Sequence, residues 1–211
     1  PTPIRKAVAV DPSGGGRDTV GIIAGYLADD QTLYITHDRS RAMPSTQWSR
    51  RACLLAHETG AQMITIEWTY GRDLAVLAIG TAWEALQKEG AIPKDALKPY
   101  IKPVHARAGK YLRAEPIAQQ WLEGRIHTLT YLPELEQEWA TWQPDHTDSP
   151  GRIDASVYLA YALLKVPGAS ERVGNPAAVS LSEAAGYAQQ HNGGLGSIPL
   201  GRTGPGRSSL T

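Results

Sequence analysis

The sequence predicts a mixed α/β domain, with an antiparallel meander followed by strands that alternate with helices and a central sheet of five or more strands flanked by helices. Two patterns carry this expectation. Short apolar runs rich in β-branched residues recur at residues 7–11, 20–27, 32–36 and 63–67. From residue 45 onward such runs are separated by stretches whose apolar positions recur at helical spacing.

Residues 7–11 read as a strand that ends in Asp11 and runs into the turn formers Pro12, Ser13, Gly14, Gly15 and Gly16. Residues 20–27 and 32–36 are two further strands joined by a turn at Asp29 and Asp30. Ser45 is placed to cap a helix carrying Trp48, Ala52 and Leu55 on one face, and Gly60 to close it. Residues 63–67 form the next strand and also end in an acid, Glu67. A helix over 73–88 has the stripe Leu74, Leu77, Ala78, Ala82 and Leu86, with Gly90 as its stop. Residues 100–104 are a fifth strand, and 112–123 are helical with Glu115 and Pro116 near the first turn. An extended piece at 125–129 and a short helix at 134–142 follow. Ser149 and Pro150 then start a helix through Leu164 with a buried stripe of Ile153, Val157, Ala160, Tyr161 and Leu164. Three strands, a helix, a strand, a helix and a fifth strand is the element order of an RNase H-like fold.

The chain has 211 residues, enough for one domain with a full core. After Pro167 the composition turns to Gly, Ser and Pro. The expectation is a domain over 1–166 and a largely disordered tail over 167–211, with a weak helix around 182–190. The abrupt start at Pro1, almost on top of the first strand, suggests a piece of a longer chain. Lys and Arg total 21 and balance the 21 acids, so no global field draws the protein onto a polyanion. The single cysteine, Cys53, excludes a disulfide framework and a cysteine zinc site, and reads as a small core residue in a reducing compartment. No apolar run approaches the roughly 20 residues that span a bilayer, and no signal-peptide pattern is present. A soluble intracellular protein is expected.

Three acids sit where this fold brings elements together: Asp11 and Glu67 at strand ends and Asp154 early in the last long helix. If the first and fourth strands are neighbours, Asp11 and Glu67 leave the sheet at the same edge. Clustered carboxylates repel unless a cation neutralises them, and an all-oxygen donor set suits Mg²⁺ or Mn²⁺ rather than zinc. Two such ions would support in-line hydrolysis of a phosphodiester. By spacing alone an acid at a strand end is more often a turn or cap residue. The basic residues Lys94, Lys98, Lys102, Arg107, Lys110 and Arg113 face one acid, Asp95, over the same stretch. Such a run either tracks a DNA backbone or is simply solvated. Arg152 lies about 200° around its helix from Asp154 and reads equally as a salt-bridged surface residue. His105 and His127 lack a second histidine at metal spacing and read as structural.

Several stretches resemble the large-terminase nuclease family of tailed bacteriophages. They are Val10-Asp11-Pro12-Ser13-Gly14-Gly15-Gly16-Arg17-Asp18-Thr19, then Glu67-Trp68-Thr69-Tyr70-Gly71-Arg72-Asp73, and then Gly109-Lys110-Tyr111-Leu112-Arg113-Ala114-Glu115-Pro116. Gly124-Arg125-Ile126-His127, Leu135-Glu136 and Asp148-Ser149-Pro150-Gly151-Arg152-Ile153-Asp154-Ala155 continue the pattern. The family usually has an asparagine where Thr69 stands and an aspartate where Gly151 stands. The resemblance implies an endonuclease that cuts concatemeric viral double-stranded DNA with little sequence preference. Asp11, Glu67 and Asp154 would hold two Mg²⁺ or Mn²⁺ ions and Asp18 would be an accessory acid. Lys110 would lie near the scissile phosphate, with Arg113, Arg107, Lys102 and Arg17 as accessory DNA contacts. It also implies an N-terminal ATPase in the same full-length protein, a small terminase subunit, a portal and procapsid, and action in the host cell cytoplasm without a membrane. No Gly-x-x-x-x-Gly-Lys-Ser/Thr loop occurs here, so no ATP site is expected in this chain. The rival readings are a non-catalytic RNase H-like scaffold for DNA or portal docking, and an actin-like or sugar-kinase phosphotransferase.

Overall fold

The computed structural model describes residues 1–12, 19–68, 73–143 and 149–174. Arg17, Asp18, the end of the tail and the expected helix around 182–190 lie outside the described residues. A seven-stranded mixed sheet forms the centre. Strands β1 (Pro3–Asp11), β2 (Gly21–Ala28) and β3 (Leu33–Asp38) make the antiparallel meander, and β4 (Met63–Glu67) and β5 (Tyr100–Ala106) extend it in parallel on the far side of β1. The short strand β6 (Ile126–Thr128) runs parallel beside β3, and β7 (Val173–Gly174) antiparallel beside β5, giving the order β6-β3-β2-β1-β4-β5-β7. The expected adjacency of first and fourth strands is present, with Val10 opposite Ile66 in the register.

Alternation along β1 divides two cores. Val8 and Val10 join Ile64 and Ile66 under helices α1 (Ser45–Thr59) and α2 (Asp73–Glu89), while Ala7 and Ala9 belong to the opposite core. That opposite face carries α3 (Lys110–Leu122), α4 (Pro133–Thr141) and α5 (Gly151–Leu163). Helix α5 is packed on nearly every side, with Ile153, Val157, Leu159 and Ala160 all buried, and it crosses β1 and β2. No helix among the described residues is long and apolar enough to cross a membrane.

Several boundaries and faces differ from the sequence reading. Pro44, not Ser45, occupies the cap position of α1, which Gly60 does close in the left-handed conformation at φ 64°. In α2 the buried stripe is Ala75, Ile79, Ala82, Trp83 and Leu86, whereas Leu74 and Leu77 are 70% and 62% exposed. Helix α3 starts at Lys110, so Pro116 lies in its interior rather than its first turn. Pro150 is the cap of α5 and makes no side-chain hydrogen bond, while Glu138 Oε1 accepts from the Ile153 N–H in the first turn at 2.9 Å. Past residue 166 the chain adds α6 (Ala169–Arg172) before β7.

Candidate active site

Asp11 is the last residue of β1 and Glu67 the last of β4. Because β1 and β4 are parallel neighbours in register, both acids leave the sheet at the same carboxyl-terminal end, the usual place for ligands in open α/β sheets. Alternation aims Asp11 and Glu67 to the α5 side, as it does Ala9 and Thr65. Asp154 stands in the first turn of α5, whose amino-terminal end reaches this point.

Two glycines set that crossing. Gly21, paired with Asp11 across β1 and β2, lies so close to α5 that a Cβ there would overlap the carbonyl oxygen of Gly151 and sit 2.8 Å from Ala155 Cβ. A Cβ on Gly151 would overlap the carbonyl oxygen of Thr19. The aspartate usual in the resembled family therefore has no room at position 151, and the backbone of α5 rests directly on the sheet. Arg152 ties the same helix end down: its Nε donates to Asp38 Oδ2 at 2.8 Å and its Nη1 lies 3.6 Å from Glu138 Oε2. It faces away from the acids, as its helical phase requires.

Asp11 feels the charges of the other two acids. Asp11 is buried, at 8% exposure. Its carboxyl is pushed well above the usual range, first by burial, then by the charges of Asp154 and Glu67, with Lys110 and Arg113 pulling it partly back. The Tyr158 hydroxyl, one helical turn beyond Asp154, is raised by its own burial and then by Glu67. Glu67 is half-buried at the mouth.

Asp154 has both oxygens engaged. Arg113 Nη2 donates to Oδ1 at 2.8 Å, and Lys110 Nζ lies 3.1 Å from Oδ2. Arg113 was expected along a DNA-facing basic run, yet it is 6% exposed and turned inward. Its Nη1 donates to the Ala108 carbonyl at 2.8 Å, its guanidinium carbon lies 5.4 Å from the centre of the Tyr158 ring, and its own carbonyl accepts from Tyr161 Oη at 3.1 Å. Position 113 falls in the buried stripe of α3 with Ile117 and Gln120, a helical spacing that signals its inward face. Tyr158 was missed because it reads from sequence as ordinary core.

The remaining basic residues are spread out. Lys102 lies mid-strand in β5 opposite Thr65, two residues before Val104, the partner of Glu67. Arg107 is exposed just beyond β5, with its backbone N–H donating to Arg172 O at 2.9 Å. Lys98 is drawn to Glu84 at 3.7 Å. His127 stacks on Tyr34, and His105 meets Trp68 edge-on.

Among the described residues no three His, Cys, Asp or Glu side chains stand as a ready-made metal cage. The donor chemistry nevertheless suits a hard divalent cation. Asp11, Glu67 and Asp154 offer carboxylate oxygens only, and the Asp11 carboxyl, raised first by burial, also feels the charges of Asp154 and Glu67.

No protein-family model matches the chain, and no curated protein matches it in sequence. Solved structures do. The nuclease domain of the large terminase subunit gp2 of bacterial virus Sf6 has a TM-score of 0.55 at 12% identity, over 74% of this chain and 88% of that one. The P22 large terminase nuclease domain has a TM-score of 0.50 at 15% identity, over 74% and 78%. The yeast mitochondrial Holliday junction resolvase Ydc2 covers 74% and 78% with a TM-score of 0.46 at 12% identity. With its mixed sheet, its order of elements and the two terminase neighbours, the chain has the RNase H-like fold found in large-terminase nuclease domains.

Proposed function

We propose that this chain is a divalent-metal-dependent endodeoxyribonuclease that cuts concatemeric viral double-stranded DNA during genome packaging. The observation that supports the reading is that Asp11 and Glu67 end neighbouring parallel strands while Asp154 stands in the first turn of α5, the helix packed across them. Likeness in fold to terminase nuclease domains supports it.

In this reading Asp11, Glu67 and one oxygen of Asp154 hold two Mg²⁺ or Mn²⁺ ions. Bound there, such ions activate a water and stabilise the leaving oxygen of a phosphodiester. Arg113 fixes the orientation of Asp154, and Lys110 stands at the mouth where a phosphate would arrive. Lys102, Arg107, Arg17 and the accessory acid Asp18 remain proposals of the sequence resemblance, as do the ATPase domain of the same protein, the small terminase subunit, the portal and procapsid, and the host cytoplasm. Cutting at little sequence preference would need contacts to the DNA backbone rather than to bases.

A second reading, a non-catalytic scaffold, draws on the neutralisation of Asp154 by Arg113 and Lys110. Supercoiled-plasmid cleavage in Mg²⁺, Mn²⁺, Ca²⁺ or EDTA separates the two. Cutting is expected in Mg²⁺ or Mn²⁺, falling at least about a hundredfold in Asp11→Asn and Asp154→Asn. Cutting retained in either variant would sink the nuclease assignment to these acids.

A further inference from the structure

We propose that Lys110 is a resident counter-cation of Asp154. It holds one carboxylate oxygen while no divalent ion is bound and yields that oxygen to the ion, whereas Arg113 keeps the other oxygen in both states. This inference rests on the metal-nuclease reading and names how its site is kept without metal.

The two cations stand three residues apart on α3, so they share a helix face, yet they are held very differently. Arg113 is buried and fixed at several points: Asp154 Oδ1 at 2.8 Å, the Ala108 carbonyl at 2.8 Å, the Tyr158 ring, and Tyr161 Oη on its own carbonyl. Moving it would strand Asp154 and break its own fork of hydrogen bonds, which a planar guanidinium makes in one geometry. Lys110 is the first residue of α3, its side chain is 43% exposed, and its other partner is Ser149 Oγ at 2.7 Å. A flexible stem and a strongly hydrated ammonium let it leave at little cost. Asp154 therefore has one permanent and one exchangeable partner.

The exchange has an electrostatic direction. Asp11 lies under the combined charge of Asp154 and Glu67, and the Lys110 ammonium offsets part of that repulsion. A divalent ion brings twice the charge to the same place, so it replaces the lysine rather than adding to it. The displaced ammonium remains anchored at the start of α3, at the mouth of the acid group, where a phosphate oxygen is the partner that restores its pairing. Metal binding and engagement of the DNA backbone are thereby coupled through one side chain.

Calorimetric titration of Mn²⁺ into the full chain without DNA tests this, with Lys110→Gln and Asp11→Asn alongside. Lys110→Gln is expected to bind Mn²⁺ roughly fivefold more tightly than the wild type, since an exposed competing ion pair of modest strength is removed. It is also expected to melt lower than wild type in EDTA, and to lose that deficit at saturating Mn²⁺. Unchanged or weaker Mn²⁺ binding by Lys110→Gln, with binding still abolished in Asp11→Asn, would overturn the role of Lys110 alone. No Mn²⁺ binding by the wild type, or binding indifferent to Asp11→Asn, would overturn the carboxylate-metal reading and the lysine exchange with it.

Discussion

Burying Asp11 beside Asp154 and Glu67 builds repulsion into the metal-free protein. The folded carboxyl titrates well above its ordinary value of 3.8, so the stability it contributes is full below that value and is lost as pH rises through the raised one. Asp11→Asn is therefore expected to melt higher than wild type in EDTA at neutral pH, by about 2–4 °C for each kcal/mol relieved. Differential scanning calorimetry across pH checks this, and a variant that melts lower at neutral pH would mean Asp11 is already paired. At this scale the positions of Asp11 and Glu67 at strand ends and of Asp154 at a helix start were legible in the sequence. The inward turn of Arg113 was not read, since a run of charge says nothing about facing. Only the stripe it shares with Ile117 and Gln120 does.

Helix α5 carries Asp154 to the sheet, and its height above the sheet is set by the absence of side chains at Gly21 and Gly151. Gly21→Ala would push a methyl group into backbone that has nowhere to retreat. The expected loss is about 3 kcal/mol or more, with Mn²⁺ binding weakened in whatever fraction still folds. Denaturant unfolding measures the first, and a loss under about 0.5 kcal/mol would show that the helix lifts freely. The elements themselves were mostly readable, but α2 shows where periodicity misleads. Its sequence offers apolar residues on more than one face, and the stripe through Leu74 and Leu77 competed with the true one through Ala75, Ile79 and Trp83. Large side chains packed under neighbouring strands decided the outcome. The short α6 and β7 have too few residues to show any period, so sequence alone could not separate them from the tail.

For the whole molecule, the order of elements allowed β1 to lie beside β4, and the sheet has that adjacency, which puts Asp11 and Glu67 at the same end of neighbouring strands. The edge strand β6 falls within the extended piece expected at 125–129, whereas β7 was beyond reach, because a strand of two residues is specified by its neighbour rather than by its own pattern. A domain boundary at 166 was the reading from composition, while the described chain runs on to the pairing of Ala106 with Val173. Truncation after Gly174 is expected to leave the melting temperature within about 1 °C, because the Gly, Ser and Pro-rich remainder has few large apolar side chains to pack. A large drop on that truncation would show that residues after 174 are part of the folded core. Truncation after Val166 should lower the melting temperature by removing β7 from the sheet edge. Overall charge is balanced at 21 basic and 21 acidic residues, so DNA binding by the isolated chain should be weak and steeply salt-dependent. The decisive observation is anomalous scattering from a crystal of the chain soaked in Mn²⁺. A peak bounded by the carboxylates of Asp11, Glu67 and Asp154, lost in Asp11→Asn, is expected. Manganese bound only elsewhere, or none at these acids at saturating concentration, would contradict a carboxylate metal centre in this protein.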